Sequence, residues 1–239
     1  MSLYQLTLTR ALTVYLAQGL ICFFFIFLAY KILKRDRKRL NIIFSGFYLS
    51  AAIGLFMNFI YAPLDNVDVI LFLNYLTNFG IFYSVIFLVV FDLILLKSEK
   101  VITPIKQLVI LIAFGIAMFC MIFFVYVEGL GVEIDPESWS PHWMLPFFFY
   151  LLIIETIPTF LFFYFSFQIY KKFEDVELRK KWKFFIFGAA ALIIFMYGIF
   201  ISNFLNNSTF RLVMGAIGLI LAIAGGYLMY TGVGRQLEQ

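Results

Sequence analysis

Glu155 stands inside a long apolar stretch, within Glu155-Thr156-Ile157-Pro158. A carboxyl in such a place is expensive, which makes it a functional candidate by default. Pro158 has no amide hydrogen for the carbonyl of Ile154, so the sequence predicts a kink there. A carboxyl beside a kink can face a cavity and hold a cation, a proton or a polar ligand. It can equally be a protonated glutamic acid bonded to a neighbouring helix, and the sequence leaves both readings open. Asp92 is a second carboxyl, about one turn before Lys97. A salt bridge to a basic loop residue is its expected structural role; a conformational switch that opens on signalling is the functional alternative. Neutral polar residues form a third group. Asn74 and Asn78 are four apart and share a helix face. Asn58 and Tyr61 fall in the outer part of a second apolar stretch, and Tyr197 and Asn203 in the middle and outer part of another. With Glu155 these could line one outward-opening cavity, or the asparagines could simply hold membrane helices together.

The elements that carry these residues follow from composition. The chain has 239 residues, 64% hydrophobic and 13% charged, whereas a soluble domain is about half apolar and about a quarter charged. A bilayer is the solvent that accommodates the excess, and a helix needs roughly 20 residues to cross it. The apolar runs, such as Gly19 to Leu28 and Phe147 to Ile154, lack the alternating polarity of a membrane β-barrel. The expected fold is therefore an all-α polytopic bundle forming one domain over 1–239. Seven transmembrane helices are predicted at about 9–33, 40–61, 69–96, 105–127, 143–170, 183–204 and 210–232.

Basic residues orient the bundle. Sixteen of the eighteen Lys and Arg residues fall in the 1–2, 3–4 and 5–6 connections or after helix 7, with Arg235 the last of them. Only Arg10 and Arg211 fall on the other side. The positive-inside rule then predicts an N-terminus outside, a C-terminus in the cytoplasm and a multi-pass place in the cell membrane. This asymmetry accounts for the net charge of +4 without a nucleic-acid partner. The outer side carries Asp65, Asp68, Glu128, Glu133, Asp135 and Glu137. Its longest loop, about Glu128 to His142 with Pro136, Trp139 and Pro141, is either a lid over a pocket or a connector with interfacial aromatics. His142 is expected to be interfacial, and Cys22 and Cys120 to be small apolar packing residues. The overlapping sequons in Asn206-Asn207-Ser208-Thr209 read as chance. The N-terminus lacks the basic leader of a cleaved signal peptide.

The stretch Arg37-Lys38-Arg39-Leu40 precedes Gly46 as Arg179-Lys180-Lys181-Trp182 precedes Gly188, with nine residues from first arginine to glycine in each case. Helices 1–3 and 5–7 are thereby expected to match as a parallel three-plus-one-plus-three repeat, of a kind found in transporters. Gly218, Ala222 and Gly226 form a small-residue face on helix 7 for packing within the bundle or between subunits of an oligomer. No phosphate-binding loop, dinucleotide fingerprint, zinc-protease helix or nucleophile elbow is present. The expectation is a protein that is not an enzyme and has neither cofactor nor metal.

The Tyr30-Lys31 and Tyr170-Lys171 helix ends, the Arg179-Lys180-Lys181-Trp182 entry with Gly188, and the ending Gly232-Val233-Gly234-Arg235 resemble the seven-helix N-terminal sensor region of prokaryotic histidine kinases. The chain departs from that family in stopping at Gln239 without a kinase domain. The resemblance therefore implies a shortened form or a stand-alone relative that signals through a partner. The topology also resembles microbial rhodopsins, but helix 7 lacks their retinal lysine, and the signature motifs of animal-type receptors are missing too. The leading expectation is a receptor or sensor that takes a small ligand from outside and contacts a cytoplasmic partner or anionic lipid through its basic loops. A small solute or ion transporter using Glu155 and the asparagines is one alternative. A structural subunit of a membrane complex is the other.

Overall fold

The computed structural model describes residues 8–135 and 139–234; Pro136, Glu137 and Arg235 lie outside them. Among the described residues, seven helices are long and apolar enough to cross a bilayer. Helix α1 spans 8–35 and contains a π-helical stretch, Leu12–Gln18, before its regular part, Gly19–Arg35. It is followed by α2 (Arg39–Tyr61), α3 (Val67–Lys97) and α4 (Pro104–Phe119), which breaks and resumes as Ile122–Val125. A hairpin of β1 (Val132–Ile134) and β2 (Pro141–Trp143) precedes α5 (Leu145–Lys172), α6 (Val176–Leu205) and α7 (Ser208–Met229). A π-helical turn, Tyr230–Gly234, closes the described chain. Large apolar side chains such as Phe23, Ile105, Phe160 and Ile220 stay exposed on the exterior. In water such a surface would be unstable, and in lipid it is the favourable one. The build is that of an all-α, multi-pass membrane protein.

Side-chain caps set most of the helix starts. Asn66 Oδ1 accepts from the Val69 amide, Thr103 Oγ1 from Lys106 and Asn207 Oδ1 from Phe210. These bonds satisfy amides that the first turn leaves orphaned. Asp175 does the same for Glu177 and Leu178, so α6 begins seven residues before its expected start. Its basic run is therefore helical, and Lys181 pairs with Glu177 one turn away at 3.5 Å. The fourth span was expected to run unbroken over 105–127. It breaks after Phe119 because the Tyr150 hydroxyl takes the Ala117 carbonyl, while the Met121 amide turns to Met118. Helix α5 continues through Pro158.

The ring helices pack in the order α1, α2, α3, α5, α6, α7 and back to α1, while α4 lies outside, chiefly against α3. The α2–α3 seam is so tight that a Cβ on Gly80 would lie 2.7 Å from the Gly54 backbone. The α6–α7 seam has the same character, with a Cβ on Gly188 2.5 Å from the Gly225 carbonyl. The face expected on α7 is divided between neighbours: Gly218 lies under Phe195 of α6, Gly226 faces Phe24 and Phe25 of α1, and Ala222 is fully buried. All three thus serve the inside of this bundle.

One end of the ring carries the α2–α3 and α6–α7 turns and the hairpin; the other carries the three basic connections. At the basic end Arg39 donates to Gln107 Oε1 at 2.8 Å, tying α2 to α4. In the α1–α2 connection Lys38 bonds Asp36 at 2.9 Å and holds its carboxyl below the usual range. At the opposite end Trp143, expected at the start of a helix, instead ends the hairpin. Its fully buried ring packs against Phe82, Phe147 and Phe200. The long loop is thereby anchored in the bundle.

Candidate ligand cavity

A cavity of about 590 Å³ opens among the hairpin-end halves of α1, α2, α3, α6 and α7. That size lies within the range of about 300–1,000 Å³ usual for small-molecule sites. Helix α1 contributes through its π-helical stretch, which supplies Thr13, Val14, Ala17 and Gln18 to the wall. Such wide turns occur often at functional sites. The hairpin contributes Asp135, Ser140 and Pro141, and so covers part of the mouth.

Four of the six residues expected to bind a ligand meet here: Asn58, Asn74, Asn78 and Asn203. Three of them belong to ordered pairs. Asn78 Nδ2 donates to Asn74 Oδ1 at 3.1 Å, and Asn74 Nδ2 donates to the Tyr61 hydroxyl at 3.0 Å. Asn58 Nδ2 donates to Gln18 Oε1 across the α1–α2 seam. Thr77 and Ser202 also line the cavity, and neither hydroxyl has a hydrogen-bond partner among the described residues.

Arg10 and Arg211, the two exceptions to the charge bias, line the same cavity. Arg211 is held by carbonyls: its Nη2 donates to Pro141 at 2.6 Å and its Nε to Ser202 at 3.3 Å. Those bonds tie α7 to the hairpin and to α6 while leaving the positive charge in place. Asp135, the acidic residue on the described wall, accepts from Asn206 Nδ2 at 2.9 Å. The arginines' one trace in the sequence is their isolation. Two arginines alone on the side poor in basic residues must have a local reason to be there.

Glu155 and Tyr197 lie elsewhere. Glu155 is fully buried, does not border the cavity, and has no partner for either carboxyl oxygen among the described residues. The Tyr197 hydroxyl shares a 3.0 Å hydrogen bond with Thr156, the neighbour of Glu155. Asp92 is also fully buried, and the salt bridge expected with a basic loop residue is absent among the described residues. Its Oδ2 accepts from the Ser166 hydroxyl on α5, and the Ser166 carbonyl accepts from Trp182 Nε1 on α6 at 2.9 Å. The reason is depth: Asp92 lies too far inside for a solvated lysine to reach without being buried too.

No protein-family model, curated protein or solved structure matches this chain.

Below the polar walls lies a smaller apolar slot of about 50 Å³, which shares Ile21, Leu55, Ile81, Phe195 and Ile199 with the cavity. Below that the ring is filled. Phe185 of α6 packs against Phe44 of α2, Phe91 of α3 and Phe162 of α5 at 5.7–5.9 Å between centroids. Tyr48 touches Phe44 at 5.4 Å and Phe25 of α1 at 5.4 Å, and its hydroxyl donates to the Gly226 carbonyl of α7 at 3.0 Å. Residues from all six ring helices meet in this plug. Its fully buried members include Phe44, Tyr48, Phe91, Phe162 and Phe185.

Proposed function

We propose that this protein is a seven-helix membrane receptor or sensor that binds a small ligand from the outer side and signals through its cytoplasmic face. The orientation rests on the sixteen-to-two division of basic residues, which assigns the hairpin end to the outside. The observation that carries the reading is the shape of the cavity. It opens at one end, has polar walls, and stops on an aromatic plug built from every ring helix. Ligand contact at the floor residues Ile21, Leu55 and Ile199 bears directly on three helices whose inner halves meet in that plug. Beneath it, Asp92 joins α3 to Ser166 and, through Ser166, to Trp182. Asp92 therefore suits the switch role, and the basic connections suit a cytoplasmic partner or anionic lipid.

A second reading, a transporter, draws on the ring's internal correspondence. Gly46 faces Phe87 across the α2–α3 seam, and Gly188 faces Met229 across the α6–α7 seam. Gly188 and Met229 each lie 142 residues after their counterparts, the same offset that relates Arg37 to Arg179. Helices α1–α3 and α5–α7 then form parallel units, with α4 as the outlying link. Proteoliposomes decide between the readings. A receptor binds a solute from a mixed small-molecule panel without moving it across the bilayer; saturable uptake of the bound solute would replace the receptor reading with the transporter.

A further inference from the structure

We propose that the basic end of α1 is a binding site for an anionic phospholipid, whose phosphate meets Lys31 and Lys34 and whose acyl chain lies along Phe27 and Phe23. The inference rests on the reading of the basic connections given above, chooses lipid over a soluble partner for this one of them, and does not depend on the cavity.

The place for the chain is a stripe on one helix. Leu20, Phe23, Phe27, Tyr30 and Lys34 recur every three or four residues, so they share one face of α1. That face turns away from the ring: Phe23 is 71% exposed, Phe27 51% and Tyr30 57%. Lys31 and Lys34 are exposed beside them. In a bilayer this face meets hydrocarbon chains, so a molecule that follows it to the lysines comes from the membrane.

The place for the phosphate follows from the direction of the lysines. Helical side chains lean toward the N-terminus of their helix. Helix α1 runs from the hairpin end to the basic end, so its side chains lean toward the middle of the bilayer. Lysines near a membrane boundary ordinarily snorkel the other way, toward water. Here Lys31 Nζ lies 5.3 Å from the centroid of the Phe27 ring, and Lys34 Nζ lies 5.7 Å from that of Tyr30. Each ring belongs to the residue one turn earlier, so both ammonium groups lie back along the helix. The ring faces attract them there but bring no negative charge. No carboxylate brings it either: neither lysine has an ion pair among the described residues, and Asp36, the acid of the α1–α2 connection, bonds Lys38. The two lysines are three residues apart and adjacent on the helix surface, so their charges repel unless an anion lies between them. A lipid phosphate supplies that anion at the level of the ammonium groups, and its chain continues down the stripe. A free phosphate has nothing to set against Phe27 and Phe23.

The α5–α6 connection differs on each count. It carries acids among its bases, with Lys181 paired to Glu177 and Asp175 capping α6. The ring at the end of α5, Tyr170, is taken by Arg179 and Lys183 of α6 and not by Lys171 or Lys172. Helix α6 begins at the basic end, so its side chains lean toward water.

The test is native mass spectrometry of the full chain in detergent, titrated with phosphatidylglycerol and with phosphatidylcholine of the same acyl chains. The first phosphatidylglycerol should bind about fivefold more tightly than the first phosphatidylcholine, or better. Lys31→Gln together with Lys34→Gln should weaken phosphatidylglycerol by about fivefold or more and leave phosphatidylcholine within about twofold. Lys171→Gln together with Lys172→Gln removes the same charge from exposed positions and should change either affinity by less than about twofold. Phe27→Leu together with Tyr30→Leu keeps both charges, removes the ring faces, and should weaken phosphatidylglycerol by about threefold. Equal losses in the two lysine pairs would overturn the site in favour of diffuse attraction to net charge. Equal affinities of the two lipids for the unaltered protein would overturn it outright. Displacement of phosphatidylglycerol by inorganic phosphate would replace the lipid with a free anion. An unchanged affinity in the ring variant would remove Phe27 and Tyr30 from the proposal. The lysines are all exposed, and matching melting temperatures without lipid separate lost binding from lost fold. A micelle has no sides, so the outcome is independent of orientation, and failure here leaves the cavity reading standing.

Discussion

At the residue scale the buried carboxyls behave differently from one another. Glu155 has no partner for its oxygens among the described residues and no border with the cavity. A buried polar group in that state costs stability. Glu155→Met should therefore raise stability by about 1–3 kcal/mol in thermal denaturation, and Glu155→Gln should leave ligand affinity within about twofold. A large affinity loss in Glu155→Gln would return that residue to the binding site. Asp92 is bonded, so Ser166→Ala strands its carboxyl and should cost about 1–3 kcal/mol. In a double-mutant cycle Asp92→Asn and Ser166→Ala should couple by more than about 0.5 kcal/mol; strict additivity would show that the bond contributes nothing. The asparagines were legible in the sequence because Asn74 and Asn78 are one turn apart on one face. Arg10 and Arg211 were not, because counting charges assigns a side of the membrane and says nothing about depth.

At the element scale the spans were legible and their fine structure was not. Hydropathy located all seven, since a run of about 20 apolar residues is a strong signal. The break in α4 depends on Tyr150, which lies outside that helix. The π-helical stretch of α1 has no composition of its own, and the hairpin is held by a tryptophan whose place in the sequence suggests a helix start. The glycine pattern on α7 was visible, yet its closest approach to a neighbouring backbone involves Gly225, one residue from the expected Gly226. Close approach depends on which face meets the neighbouring backbone, and spacing alone does not choose that face. A Cβ on Gly225 would lie 2.7 Å from the Gly188 carbonyl. Gly225→Val should accordingly destabilise the bundle by about 1–3 kcal/mol through overpacking, whereas Gly19→Ala, which meets nothing within 4 Å, should be neutral or slightly stabilising. Equal denaturation temperatures for the two variants would show that the α6–α7 seam yields without cost.

At the scale of the whole molecule, function depends on which end faces outward, because the cavity opens at only one. The hairpin end carries Asp65 in an exposed turn, and the opposite end carries exposed Lys100 among the basic connections. Each position can report orientation once the native thiols, Cys22 and Cys120, are replaced by alanine. Cys22 donates weakly to the Ala52 carbonyl at 3.4 Å, and its loss is tolerable because thiols are poor donors. In intact cells a membrane-impermeant maleimide should label Asp65→Cys and spare Lys100→Cys. Permeabilisation should expose the second without changing the first. The reverse pattern would put the arginine-bearing cavity in the cytoplasm. The ligand would then be an intracellular solute, and the basic connections would face outward against the charge rule that orients them. Labelling of both positions in intact cells would mean mixed insertion, and a one-sided receptor could not work in that state.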